Sequence, residues 1–194
     1  NGIGKSTYIE AIAINLGLPK EGGTQNFIYE TKDTTSSLSE YLKIITKNKP
    51  KTKFFLRAES FYNFSTEVER LVKEDKFHSL FKSYGGNLHE CSHGEAFLKL
   101  VQNRFTENGI YILDEPENSL SAENTLKLKT FIEESVRFFN CQFIISTHSP
   151  FLLNLNESVI YDLDKKDFVP VKFEDIPSVR TYYEFFKSNE GKFT

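Results

Sequence analysis

The chain opens Asn1-Gly2-Ile3-Gly4-Lys5-Ser6-Thr7, and Gly4-Lys5-Ser6 is the back half of the phosphate-binding loop G-x-x-x-x-G-K-[ST]. The first glycine of that pattern would fall upstream of Asn1, and no methionine starts the chain. The expectation is a fragment that begins inside its nucleotide site, without the strand that precedes such a loop. Neighbouring strands would then expose backbone groups and apolar faces, so the 194 residues alone are expected to be poorly soluble. A triphosphate needs backbone N–H donors, a cation and a Mg²⁺ ligand set close together. Gly2 and Gly4 carry no Cβ and let the backbone curl round phosphates. Lys5 would reach the β- and γ-phosphates, and the Ser6 hydroxyl would ligate Mg²⁺. Residues 5–16 read as a helix with Ile9, Ile12, Ala13 and Leu16 on one face, its positive N-terminal end towards the phosphates. Asn1, Gly2, Gly4, Lys5, Ser6 and Thr7 are therefore the candidate nucleotide-phosphate contacts. A glycine-rich turn capping an ordinary helix would carry the same residues.

At 194 residues the chain is expected to form one domain, 1–194, with a short helical insert over 60–92. It uses 19 phenylalanines and no Met or Trp, so Phe, Ile, Leu and Tyr must build the core. Net charge is −3, which gives no global basic field for nucleic acid. Cys91 and Cys141 stand far apart in sequence and read as free thiols of a reducing cytoplasm. The longest apolar stretches are far short of a membrane span, and no signal peptide is visible in the sequence given.

After the first helix, Gly17 and Pro19 form a stop signal. Residues 21–23 turn, 27–31 read as a short strand and 36–46 as a short helix. The basic run 47–53 holds a proline and reads as a solvated loop. Residues 54–57 form a buried strand; 65–84 form a helix that Gly85-Gly86 ends. A helix over 94–105, a strand over 110–113, a long amphipathic helix over 121–138 and a strand over 142–146 follow. A hairpin over 159–163 and 169–173 and a helix over 182–187 close the chain. Strands alternating with helices predict an α/β fold with a mostly parallel central sheet flanked by helices.

Ile110-Tyr111-Ile112-Leu113-Asp114-Glu115-Pro116 is an apolar strand ending in two carboxylates. Ligands of open α/β sheets sit beyond the carboxyl ends of the strands, which would let Asp114 hold Mg²⁺ and Glu115 polarise an attacking water. Without a ligand it is simply a strand with an acidic turn. Phe143-Ile144-Ile145-Ser146-Thr147-His148 has the same form, and His148 could meet a γ-phosphate or stand as an ordinary surface histidine. Ser92-His93-Gly94-Glu95 reads as a capping box, Ser92 the N-cap and Glu95 the N3 partner, before the apolar helix of Ala96, Phe97 and Leu100. The same bare helix start can hold an anion. His89, Cys91 and His93 alternate, which admits a metal reading, but the second spaced pair that a closed zinc site wants is absent.

Phosphate loop, Ser-x-Gly-Glu, apolar-Asp-Glu-Pro and Ser-Thr-His, in that order, resemble the ABC-type P-loop ATPases. Within them the chain looks most like the small stand-alone bacterial predicted ATPases of the AAA/ABC-like group. Phe55-Leu56-Arg57-Ala58-Glu59-Ser60, Ser92-His93-Gly94-Glu95-Ala96-Phe97 and Leu113-Asp114-Glu115-Pro116-Glu117-Asn118-Ser119-Leu120-Ser121 carry that likeness. The resemblance implies that Gly4, Lys5, Ser6 and Thr7 belong to the phosphate loop and Ser92, Gly94 and Glu95 to the signature motif. It makes Asp114 the Mg²⁺-side aspartate, Glu115 the catalytic glutamate and His148 the switch histidine. It also implies a head-to-tail homodimer with two ATPs sandwiched between copies, Ser92 contacting the γ-phosphate bound by the other copy. Three departures accompany it. The signature is Ser-His-Gly-Glu rather than Leu-Ser-Gly-Gly-Gln; no Gln-x-Pro follows the 54–57 strand, where Glu59 is the nearest polar residue for a Mg²⁺-sensing role; and Ser121 stands where transporters carry an aspartate.

The leading expectation is a soluble, cytoplasmic ATPase that hydrolyses ATP to ADP and phosphate and drives a conformational change. The ATPase subunit of a membrane transporter is an alternative that the missing transporter signature and short insert weaken. A DNA-repair or defence-linked ATPase is another, and the net charge of −3 does not support nucleic acid as a partner. An ATP-gated scaffold with little turnover, acting on an unknown protein partner, is the last.

Overall fold

Three apolar segments that each end in polar residues become neighbouring parallel strands. The computed structural model describes residues 4–20, 22, 37–61, 92–165 and 168–193. Strands β1 (Thr52–Arg57), β2 (Gly109–Asp114) and β3 (Gln142–Ser146) lie in the order β1-β2-β3, all parallel. The register sets Arg57 beside Asp114 and Asp114 beside Ser146, so three polar residues form one row at the carboxyl edge.

Side chains alternate across a strand, and here both faces are buried. Phe54, Leu56, Tyr111 and Leu113 face one apolar cluster, closed by Phe97, Leu100 and Val101 of α3 (His93–Arg104) and Leu128 and Ile132 of α4 (Ala122–Phe139). Phe55 and Ile112 face the other, against Ile9, Ala13 and Leu16 at α1 (Lys5–Asn15). The protein is thus mixed α/β, a three-strand parallel sheet flanked by helices. Phenylalanine supplies much of the filling: Phe105 stacks on Tyr111 at 4.2 Å between ring centroids and meets Phe143 edge-on at 5.2 Å. Cys141 is a buried free thiol that donates to the Thr106 carbonyl at 3.2 Å, and burial pushes its pKa up.

Helix ends follow local chemistry. Gly17, at φ 77°, takes the left-handed conformation just past α1. At the start of α4, Ser121 accepts the Asn124 N–H at 3.2 Å, and Asn140 at φ 52° ends the helix. The capping box at Ser92 forms as the sequence indicates: the Ser92 N–H donates to Glu95 Oε2 at 2.9 Å, and the Glu95 N–H donates to the Ser92 hydroxyl at 3.4 Å.

Three elements differ from the sequence expectation. Over 36–46 only α2 (Leu38–Tyr41) is helical; Leu42 turns to φ −94°, ψ 138°, and the extended chain brings Ile44 against the α1 cluster. The short α5 (Pro150–Leu153) precedes a hairpin reduced to β4 (Ile160–Tyr161) and β5 (Pro170–Val171), because Pro170 has no N–H for a longer ladder. Helix α6 spans Pro177–Ser188 rather than 182–187; the proline at its first turn needs no donor and presets φ. The strand expected over 27–31, the helix over 65–84, its Gly85-Gly86 stop, His89, Cys91, Asn1 and Gly2 lie outside the described residues, as does most of 60–92. Among the described residues, no helix is long and apolar enough to cross a membrane.

Candidate functional site

Strand parity decides what meets at the carboxyl edge. Phe55 and Ile112 face α1, so Arg57 and Asp114, two residues further on, face α1 as well. Helix α1 presents Ser6 and Glu10 there, one turn apart. The four side chains form a linked chain. The Ser6 hydroxyl donates to Asp114 Oδ1 at 3.5 Å, Arg57 Nε donates to Asp114 Oδ2 at 3.2 Å, and Arg57 Nη2 donates to Glu10 Oε2 at 3.3 Å. Asp114 is only 4% exposed, so its carboxylate depends on these partners rather than on water.

Gly4 caps α1 at φ 82°, a conformation that glycine adopts without the Cβ penalty. Among the described residues no side chain caps this end, and no acid lies in its first turn, which leaves the first N–H groups around Lys5, Ser6 and Thr7 without a partner from these residues. Lys5 Nζ donates to His148 Nε2 at 2.8 Å; an ammonium has only donors, so the imidazole accepts. The same Nε2 lies 3.8 Å from Glu115 Oε1. Lys5, Glu115 and His148, brought from three separate segments, meet above the strand ends.

Glu115 stands in the left-handed region at φ 48°, ψ 51°, which costs a non-glycine residue about 1–2 kcal/mol. Its N–H donates to the Ser146 carbonyl at 2.9 Å, and Asn118 Nδ2 donates to its Oε2 at 2.8 Å. The chain therefore turns sharply straight after β2 and holds this carboxylate at the surface, beside the half-exposed His148.

Ser92, Gly94 and Glu95 do not join this group. Their bonds among the described residues stay within their own turn, and the Ser92 hydroxyl also donates to Glu95 Oε2 at 2.8 Å. Those Ser92 bonds hold the Glu95 pKa below the ordinary carboxylate value. Gly94 allows α3 to start against α4, since a Cβ there would lie 2.8 Å from Asn124 Nδ2. Glu59 is exposed on the turn Ala58–Ser60 after β1 and makes no hydrogen bond or ion pair among the described residues. From that strand it is Arg57 that reaches Asp114.

A Mg²⁺ ion is implied by the resemblance. Ser6 and Asp114 offer two facing oxygen donors, and Mg²⁺ favours such a sparse oxygen set completed by water and phosphate oxygens. Among the described residues no group of three His, Cys, Asp or Glu side chains forms a closed metal cage. The residues present fit an ion shared with a phosphate.

No family model, curated protein or solved structure matches the chain at a significant level. Sequence reasoning overlooked Glu10, Arg57 and Glu117. Parity along β1 and β2 was the signal for Arg57. Nothing local marks Glu117, whose partners lie about thirty residues on.

Proposed function

We propose that the protein binds ATP with Mg²⁺ and hydrolyses it to ADP and phosphate as a P-loop NTPase of the ABC type. Two copies close over two nucleotides and drive a conformational change. The observation that carries this reading is the convergence of Lys5, Ser6, Asp114, Glu115 and His148 at the carboxyl edge of a parallel sheet. In phosphoryl transfer the protein mainly positions groups and stabilises charge.

In this reading the first N–H groups of α1 and the Lys5 ammonium neutralise the phosphates. Ser6 and Asp114 would hold Mg²⁺, which would offset phosphate charge when bound. Glu115 orients the attacking water, and His148 donates a ring N–H to a γ-phosphate oxygen once Lys5 turns towards the nucleotide. Ser92, at the exposed start of α3, would exchange its hydroxyl bond to Glu95 for the nucleotide of the second copy and so complete a composite site.

The test uses a chain carrying the complete phosphate loop, as wild type and as Glu115→Gln. The variant is expected to bind Mg-ATP, to lose turnover by about 10²-fold or more, and to shift from monomer to dimer by light scattering when Mg-ATP is added. Unchanged turnover would remove Glu115 from the chemistry. Failure of the wild type to bind Mg-ATP would end the ATPase reading.

A further inference from the structure

Glu117 lies on the turn Pro116–Ser119, two residues after Glu115, and directs its carboxylate at the turn that follows β3. Its Oε1 accepts three donors: the Thr147 hydroxyl at 2.7 Å, the His148 N–H at 2.6 Å and the Ser149 N–H at 3.1 Å. The Ser149 N–H also reaches Thr147 Oγ1 at 3.0 Å. The second oxygen, Oε2, is buried and has no hydrogen-bond partner among the described residues. A carboxylate oxygen taken from water is costly unless donors replace the water, and hydrogen bonds to a charged group are the strong kind. Three donors gathered on one atom therefore fix the backbone of residues 147–149 to this turn.

The same turn supplies Asn118, which holds Glu115 Oε2 at 2.8 Å. One short turn thus sets both Glu115 and the chain segment that presents His148. Among the described residues, Glu117 alone ties the Thr147 hydroxyl and the His148 N–H to the turn after β2. Without it, the His148 ring would keep, among the described residues, only Lys5 and Glu115, both at the solvent edge.

We infer that Glu117 is a positioning residue that fixes the His148 backbone so that the imidazole stands between Lys5 and Glu115. Its kinetic consequence rests on the ATPase reading above; its geometric consequence does not. The experiment compares wild type, Glu117→Ala and Glu117→Gln in a chain carrying the complete phosphate loop. It reads amide hydrogen exchange at residues 147–149, the ring resonances of His148, and kcat and KM for Mg-ATP.

In Glu117→Ala, exchange at His148 and Ser149 rises about tenfold or more while amides of β2 keep their protection. The His148 ring resonances move, and kcat falls by about 10- to 100-fold with KM within a few-fold of wild type. Glu117→Gln keeps an oxygen acceptor of the same reach and recovers part of each effect. Unchanged exchange and unchanged ring resonances in Glu117→Ala would overturn the assignment. So would a loss of protection spread evenly over β2, which marks a general packing role. Should Glu117→Ala not fold, Glu117→Met, which fills similar space without an acceptor, carries the same measurements, and wild-type exchange at His148 in that variant overturns the inference. A wild type that does not bind ATP defeats the functional reading alone, because exchange and ring resonances still decide the role of Glu117.

Discussion

Removing the Arg57 guanidinium tests the chain of charged side chains that ties α1 to the sheet. Asp114 is 4% exposed and Arg57 17%, and they meet at 3.2 Å. Unit charges about 4 Å apart attract by roughly 4 kcal/mol at an effective dielectric of about 20, before desolvation is subtracted. Deleting one partner of a fully buried pair costs about 3–5 kcal/mol, because the remaining charge is stranded. Arg57 lies at the solvent edge and Ser6 still faces Asp114, so Arg57→Met should lose about 2–3 kcal/mol by these measures. Methionine keeps an apolar stem where the arginine lies over the Phe55 ring, which confines the change to charge. Asp114→Asn in the same background should recover part of the loss, giving a coupling of about 1–2 kcal/mol in a double-mutant cycle read by urea unfolding. Losses that add to within about 0.3 kcal/mol would refute the reasoning, since the two side chains would then not be sharing their charge. The unshielded Asp114 of Arg57→Met should also gain more melting temperature from Mg-ATP than wild type does, if the ion sits between Ser6 and Asp114.

Gly109→Ala places a Cβ 2.1 Å from the Tyr111 hydroxyl oxygen and 2.3 Å from Cζ. The ring cannot easily yield, because that hydroxyl bonds Thr52 Oγ1 at 2.8 Å, the Thr106 N–H at 2.7 Å and the Thr106 carbonyl at 2.8 Å. A loss of about 3 kcal/mol in a urea melt is expected, and a loss under about 1 kcal/mol would contradict it. At Glu133, burial pushes the carboxyl pKa up, but the Asn156 N–H and then Lys129 outweigh it and leave the pKa below 4.5. A folded-state pKa below the unfolded value contributes stability above about pH 4.5 and loses it as pH falls through the folded value. Glu133→Gln should therefore cost about 1 kcal/mol at pH 7, and the gap to wild type should close on acidification; a gap that persists at pH 3 would count against it.

The strands were legible because a parallel sheet covered on both faces demands continuous apolar runs, and each run here stops at a polar residue. Gln142–Ser146 appears as read, and β1 and β2 only lengthen by a residue or two at their ends. Capping at Ser92 was legible because all its partners lie within one turn. The chain after Tyr41 was not, since its extended form answers to the α1 cluster that Ile44 joins, a contact no local pattern records.

The site divides along the same line. Candidate residues at strand ends could be named singly, because each motif carries its own local signature. Their mutual arrangement needed the register that aligns Arg57, Asp114 and Ser146. Slipping β2 by one residue would turn Leu113 towards α1 and Asp114 into the cluster of Phe97, Leu100 and Leu128. It would strand a carboxylate among phenylalanine and leucine side chains and remove Arg57 and Ser6 from it together. The core therefore enforces the site: the apolar parity that buries Tyr111 and Leu113 on one face is what delivers Asp114 to Ser6 and Arg57 on the other. Sequence reading can recover this step by carrying the parity of Ile112 one alternation further, to Asp114. Glu117 offers no such route, because it acts from a turn, where no period fixes a side chain's direction.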